Sequence, residues 1–383
     1  MVYHVGPLPA RRGNVGGAGS YLRELVERLT RDGVRSEVLC QRDLPDSDVA
    51  GYAFTVRRCW NFGPYSLLQA TFALAGARGI VHVQYETALF GSVFASMQLS
   101  FLLMLWRALG LGTVVTLHHV IPANFTVADL RLWKAPHAFD RVVLWLLRRN
   151  QYAIARAASR TIVHEASQRR VLAGAKGIAC VPLFVPDREP APDIGSVPGH
   201  ALRLAFFGFL AEYKGLRELI DAVNRIRSSG GSVELEVVGG EHPRLSRHTA
   251  YRRFIADVMR ESAREGAVTL HGFLPDSDVD RTLGACGLFV FPYRATIAAS
   301  AAVARAIALG KPFAVSQRLA ATLELPGETL VCGDTVDQIQ RFLQTVSVRQ
   351  LHEARALSLA LREERSLARI ADTVARIYRD LTV

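Results

Sequence analysis

The sequence predicts an α/β protein made of two doubly wound, mainly parallel sheet domains that face each other across a cleft. Three observations carry that expectation. Strand-length apolar runs alternate with stretches of helical apolar spacing through the first 185 residues. A segment that fits neither pattern follows, Pro186–Gly199 (PDREPAPDIGSVPG), with four prolines and two glycines. The alternation then starts again. The expected division is a first Rossmann-like domain at 1–185, a linker at 186–200, a second Rossmann-like domain at 201–350, and helices at 351–383 that return toward the first domain.

The first strand lies near Val2–Val5 and leads through PLPARRGNVGGAGS into a helix at Tyr21–Leu29, whose core face is Leu22, Leu25, Val26 and Leu29. The pair Gly16-Gly17 either lets a ligand approach the helix start or forms a plain flexible turn. Strands are expected at Glu37–Cys40, Tyr52–Val56, Ile80–Gln84, Thr113–Leu117, Arg160–His164 and Ile178–Pro182. Helices are expected at Tyr65–Ala75 and, with a basic face, at Phe139–Ala157. Thr87–Trp106 is twenty uncharged residues, about the length of a membrane span. It stands between two strands, however, where a parallel sheet requires a crossover helix, and Ser92, Ser96 and Ser100 give it a small polar face. A buried crossover that skims a membrane is the expectation.

The second half is organised around Leu202–Ile226 (LRLAFFGFLAEYKGLRELIDAVNRI). A buried strand breaks at Gly208 and resumes as a helix with Leu216, Leu219, Ile220, Val223 and Ile226 at helical spacing. The loop between them carries Lys214, one of only four lysines in the chain. Ligands of open α/β sheets bind at the carboxyl ends of the strands, so Lys214 either neutralises a phosphate or decorates the loop. No GxxxxGK[ST] pattern is present, which excludes a P-loop. Strands follow at Val233–Val238, Val268–His271, Leu288–Phe291 and Pro312–Val315, and Gln350–Leu381 is helical and charged.

Half of the residues are hydrophobic, enough for two cores, and the net charge is +11. That charge calls for an anionic partner: a phosphorylated ligand, a membrane surface or nucleic acid. The arginines are dispersed and no aromatic-interleaved basic motif occurs, so nucleic acid is set aside. Five scattered cysteines without a CxxC indicate a reducing compartment, with no disulfide frame and no zinc knuckle. The N-terminus has no apolar core of signal-peptide length. A cytoplasmic protein, peripheral on the inner membrane face, is expected.

The chemistry is expected at strand ends. TVVTLHHVIP brings His118 and His119 to the cleft edge, where one of them reaches the cleft or caps loop carbonyls. Adjacent residues of a strand face opposite ways, so the pair is not a metal site. HVQYE brings Gln84 and Glu86 to the same edge. Glu86 either bonds sugar hydroxyls or acts as an acid at the start of the next helix. In the second half a helix starting near Ser300 offers unpaired N–H groups and partial positive charge to a phosphate. Ser300 caps that helix or donates to the phosphate, Arg294 adds a fork of donors, and Lys311 closes the helix end. No GxGxxG with a later acid follows the first strand, which sets a dehydrogenase aside.

Taken in order, the motifs resemble the retaining glycosyltransferases of the GT-B fold, family 4, also called glycosyltransferase group 1. The resemblance covers nearly the whole chain and rests on GGAGSYLRELVERL, HVQYETALFG, TVVTLHHVIP, VPLFVPD, GFLAEYKGLRELIDAV, HGFLPDSDVDRTLGACGLFVFPY and SAAVARAIALGKPFAVS. It implies a nucleotide-diphosphate sugar as donor substrate, a glycan or lipid-linked acceptor and no metal or other cofactor. It makes His118 the histidine at the donor sugar and Lys214 the stabiliser of the diphosphate. Gly208, Lys214, Gly272, Arg294 and Ser300 become donor-side residues, and Gly16, Gly17, Gln84 and Glu86 acceptor-side residues. The sequence departs from the family at several places. Ile297 and Arg305 stand at the positions of the family's two glutamates, Phe209 at that of an arginine, and Leu183 and Phe184 at those of a histidine and a glycine. A non-catalytic GT-B protein that binds sugar nucleotide or partners an active enzyme is therefore the alternative.

Overall fold

The computed structural model describes residues 1–9, 17–87, 89–133, 138–192, 201–242, 245, 246, 248–295 and 300–381. The first sheet contains β1 (Val2–Val5), β2 (Ser36–Gln41), β3 (Thr55–Trp60), β4 (Ile80–Tyr85), β5 (Gly112–Leu117), β6 (Arg160–Val163) and β7 (Ile178–Cys180). Its order is β3-β2-β1-β4-β5-β6-β7, with every pairing parallel. The second contains β8 (Leu202–Phe207), β9 (Val233–Val238), β10 (Val268–Gly272), β11 (Leu288–Phe291), β12 (Phe313–Val315) and β13 (Leu330–Val331). It runs β10-β9-β8-β11-β12-β13, again all parallel. The order reverses between β1 and β4 in one sheet and between β8 and β11 in the other. These switch points are where such sheets open a crevice.

The helices of the first half are α1 (Gly17–Arg31), α2 (Asp46–Val49), α3 (Ser66–Ala73), α4 (Val93–Ala108), α5 (Val127–Trp133), α6 (Asp140–Ala157) and α7 (Ala166–Val171). Those of the second are α8 (Leu216–Ser228), α9 (Thr249–Ser262), α10 (Asp276–Gly284), α11 (Ala301–Ala308), α12 (Gln317–Thr322) and α13 (Val336–Thr345), with a short 3-10 turn at Glu212–Lys214. The expected single helical tail is two helices, α14 (Val348–Glu364) and α15 (Leu367–Arg379). Leu361 of α14 joins the core beneath α11, whereas Ile370, Ala371, Val374 and Ile377 of α15 pack with Val2, Leu25 and Ile80 of the first domain. The outgoing chain and the returning chain meet side by side, where Val185 N–H donates to Arg365 C=O at 2.8 Å.

Two elements differ from expectation. The strand expected at Tyr52–Val56 is displaced to β3, which pairs with β2 from Thr55 onward, and the Tyr52 and Phe54 rings stack at 4.8 Å in the loop before it. The long apolar stretch becomes helical only at Val93, after Ser92 caps it by accepting from Phe94 N–H. One face of α4 is buried, through Leu99, Leu103 and Trp106, while Phe94, Met97, Phe101 and Met104 remain exposed. Among the described residues no helix is long and apolar enough to cross a membrane.

The central strands of the first sheet share a face pattern that positions the site. Residues two apart face the same way. On one face Val2, Ile80, Val114 and Ile162 pack under α1 and α15 at the amino ends of their strands. Two to four residues further along the same face come His4, His82 with Gln84, Thr116 with His118, and His164, all buried. Four neighbouring strands thus deliver polar rings to one edge.

Candidate active site

Lys214 sits at the switch point of the second sheet. Gly215, with φ +70, turns the chain from the 3-10 segment into α8, and a Cβ there would meet the Pro292 carbonyl oxygen at 2.1 Å. Gly208, φ +120, ends β8 and leaves room for the lysine, since a Cβ would lie 2.3 Å from Nζ. Lys214 is only 7 % exposed, its Nζ is 5.7 Å from the Tyr293 ring, and burial lowers its pKa from 10.5 to about 8. Desolvation is the whole cause of that shift. No carboxylate among the described residues forms an ion pair with it. A buried ammonium without a counter-charge is costly, and an anionic ligand relieves it.

Two helix starts approach each other nearby. Ser300 caps α11 by accepting from Val303 N–H at 3.3 Å, and its hydroxyl lies 3.5 Å from the Tyr293 phenol. Gly17, exposed at the start of α1, faces Ala301 from the other domain, its built Cβ 3.7 Å from the Ala301 Cβ. Neither helix has an acid in its first turn, so no carboxylate within the helix offsets its positive end. Gly16 and Ile297 lie outside the described residues.

The other donor-side residues are arranged less directly. Arg294 extends one arm to Glu218 on α8 at 3.0 Å, so its charge is already shared with a carboxylate. Gly272, φ +67, closes β10 and its carbonyl accepts from Gly239 N–H at 2.8 Å. Phe209 lies beside His242 and Phe273 with ring centroids 5.0 and 6.0 Å away, so flat aromatic surface stands where the family carries an arginine. Arg305, in place of the second glutamate, is bound by Asp276 at 3.2 Å and Asp280 at 2.7 Å and covers the Phe207 ring. It fastens α10 to α11.

On the first domain, Glu86 and His119 form the exposed part of the edge. His119 Nε2 is 3.9 Å from the Glu86 carboxylate, and their side chains are 18 % and 25 % exposed. Glu86 also acts across the cleft. Burial raises the Tyr213 phenol's pKa, and the charges of Tyr293 and Glu86 add to that rise. Helix α5 packs against the turn that carries Tyr213 and Lys214, and Asp129 on α5 meets Arg318 of the second domain at 3.2 Å.

Gln84 and His118 lie deeper than expected. Gln84 is fully buried and sits between His118 Nε2 at 3.0 Å and His82 Nε2 at 3.4 Å, so its amide is not presented to an acceptor. His118 is 8 % exposed, and its Nδ1 is 3.0 Å from His164 Nε2, so both ring nitrogens are engaged inside the domain. Burial drives its pKa well below the usual imidazole range, with His164 as the next cause. The sequence reading missed His82, His164 and Tyr378, which complete this network. The signal was present: VYHV, IVHVQY and TIVH place a histidine at the same parity on three strands beside TVVTLH. It also missed Tyr213 and Tyr293, whose rings wall the lysine.

A sequence model described as Glycosyltransferase Family 4 matches residues 15–185, and one described as Glycosyl transferases group 1 matches residues 201–347. No curated protein is significantly similar to the chain in sequence. Among solved structures, Alr3699/HepE of Anabaena in complex with UDP superposes with a TM-score of 0.72 at 15 % identity over 99 % of both chains. Sucrose-phosphate synthase of Thermosynechococcus elongatus gives 0.72 at 18 % identity, covering 100 % of this chain and 98 % of that one. A UDP-forming trehalose-phosphate synthase of Burkholderia xenovorans gives 0.68 at 12 % identity, covering 100 % and 99 %. With one family model on each sheet domain and the same two-domain fold in these structures, the chain belongs to the group 1 glycosyltransferases of GT-B fold.

Proposed function

We propose that the protein moves a sugar from a nucleoside-diphosphate donor to a glycan or lipid-linked acceptor, with retention at the anomeric carbon. The observation that carries the reading is Lys214, buried without a described counter-charge beside the opposed starts of α1 and α11. Glycosyl transfer builds cationic character on the sugar and negative charge on the departing phosphate. A fixed ammonium and two helix ends aimed at that phosphate lower the barrier, because they are oriented before charge develops. They supply the positive charge a metal clamp would otherwise bring, so the reading needs no metal. The Phe209, His242 and Phe273 rings offer flat surface for a nucleobase. HepE, similar in fold, has been solved with UDP-glucose, which makes a uridine donor the first to try.

The test is a donor screen by calorimetry, with UDP-, GDP- and ADP-sugars on the wild type and on Lys214→Ala. A charge-assisted phosphate contact is worth about 1.5–3 kcal/mol, so the variant is expected to bind about 10–150-fold more weakly. No binding of any donor by the wild type would end the proposal.

A second reading concerns where the acceptor comes from. Phe94, Met97, Phe101 and Met104 on α4 and Trp145 on the neighbouring α6 are exposed, with exposed Arg107, Arg141 and Arg149 around them. Aromatic and thioether side chains rimmed by arginine suit the anionic inner face of a membrane. Vesicles containing phosphatidylglycerol are expected to co-sediment the wild type and to release Phe101→Asp together with Met104→Asp; equal sedimentation of both proteins contradicts the reading. The non-catalytic alternative draws on Arg305 and Arg294, which are tied to carboxylates. Donor binding without hydrolysis or transfer would favour it.

A further inference from the structure

The turn that carries Lys214 and the loop after β11 are tied together through the backbone. Arg294 N–H donates to the Tyr213 carbonyl at 2.7 Å, and the hydroxyl of Ser316, the residue that caps α12, donates to the Tyr293 carbonyl at 2.7 Å. Tyr293 is therefore held from both sides. Its buried ring lies between two others, Tyr213 at 5.9 Å and Phe291 at 6.1 Å, each close to perpendicular to it. Lys214 Nζ stands over the same ring, 5.7 Å from its centroid.

An ammonium buried this deeply ordinarily stands beside a carboxylate. A carboxylate would neutralise the lysine and repel an incoming phosphate. An aromatic face attracts a cation through its quadrupole and carries no net charge. The two phenols stay neutral, since burial pushes Tyr293 up to about 12 and Tyr213 further. The charged groups on the elements around the turn are engaged elsewhere: Arg294 with Glu218, Asp129 of α5 with Arg318, and Glu86 of the first domain with His119 and Tyr213. We propose that Tyr293 is a positioning residue whose ring stands in for a carboxylate beside Lys214. It holds the ammonium at the switch point without neutralising it and leaves the charge for the diphosphate. The role toward the diphosphate rests on the transferase reading; the hold on the ammonium does not. The Tyr293 hydroxyl, 3.5 Å from Ser300 Oγ, is at the long end of hydrogen-bond reach and contributes little. The ring face carries the effect, so phenylalanine is expected to replace tyrosine.

The test titrates Lys214 in the full chain through the NMR signal of the methylene carbon next to its amine. Labelled lysine gives four signals, one for each lysine, and Lys214→Met identifies the relevant one. The wild type is compared, without ligand, with Tyr293→Phe, Tyr293→Leu and a chain carrying trifluorophenylalanine at position 293. The fluorinated ring keeps the shape of phenylalanine and loses most of its negative face. Wild type and Tyr293→Phe are expected to share a midpoint near pH 8. The fluorinated and leucine chains are expected about one pH unit lower, because the charged form loses its support. Packing alone would not tell the fluorinated ring from phenylalanine, so that pair decides even if Tyr293→Leu does not fold. At pH 6, where Lys214 is charged in every chain, UDP-glucose affinity is expected to agree within about threefold. At pH 8 the two shifted chains are expected to bind about fivefold more weakly than the wild type. A midpoint that fluorination leaves unchanged, or one that rises in Tyr293→Leu, overturns the proposal. So does a loss of affinity that is equal at pH 6 and pH 8. Failure of the wild type to bind any nucleotide sugar removes the transferase reading, while the midpoints without ligand still decide the hold on Lys214.

Discussion

At the carboxyl edge of the first sheet, His82, Gln84, His118 and His164 are buried and bonded to one another, to Thr116, to Tyr378 and to the Val181 carbonyl. At the matching edge of the second sheet Lys214 is equally buried, yet no described carboxylate pairs with it. The winding of the two sheets is the same and both edges are polar, so the difference lies in compensation. These four side chains keep their bonds within the domain and serve as framework, while His4 beside them has no hydrogen-bond partner among the described residues. An isolated ammonium has its full charge left over, and the protein retains it at a cost in stability. Function on this edge is read from what is left unpaired rather than from how many polar groups are gathered.

The strongest way to break that contrast is to titrate Lys214. Its folded pKa of about 8 lies below its ordinary 10.5. Between those values the unfolded chain binds more protons than the folded one, so stability rises as pH increases through that window. Below pH 8 both states are protonated and the full penalty applies, on the order of 3 kcal/mol for a shift of this size. Lys214→Met is therefore expected to be more stable than the wild type at pH 7 and to lose the added rise between about pH 8 and 10.5. The difference between the two proteins in urea midpoint against pH isolates this residue from other groups. Diphosphate affinity runs the opposite way, falling above about pH 8 as the ammonium discharges. Identical pH profiles for the two proteins would mean that Lys214 finds a counter-charge in solution.

Much of this arrangement was legible in the sequence. The alternation of strands and helices led to two doubly wound sheets, and Lys214 after Gly208 marked the switch point of the second. The rest depended on facts that spacing does not carry. Arg305 could not be seen to pair with Asp276 and Asp280, because those acids lie some 25 residues away on another helix. Gln84 and His118 were placed at the correct sheet edge but not at the correct depth, since depth is set by α15, which returns from the far end of the chain. His82 and His164 were readable by parity, had the strands been laid side by side. Periodicity within one strand does not show that four strands align their histidines.

The smallest effect gives the sharpest test of compensation, because it applies one substitution twice on one face of the first sheet. Tyr21 and Tyr378 are both buried against the histidine row. The Tyr378 phenol is hydrogen-bonded to His82 Nδ1, whereas the Tyr21 hydroxyl has no hydrogen-bond partner among the described residues. Removing a paired hydroxyl loses a bond and leaves the imidazole nitrogen bare, at a cost of about 1–2 kcal/mol. Removing an unpaired one relieves a buried polar group and keeps the ring, which for Tyr21 stacks on Phe184 at 4.8 Å. Tyr378→Phe is therefore expected to lower the urea midpoint, and Tyr21→Phe to leave it unchanged or raise it. Donor affinity should stay within about twofold in both, because neither group faces Lys214. Equal losses in the two variants would show that the first edge is no more closed than the second, and the contrast between network and isolated charge would fail.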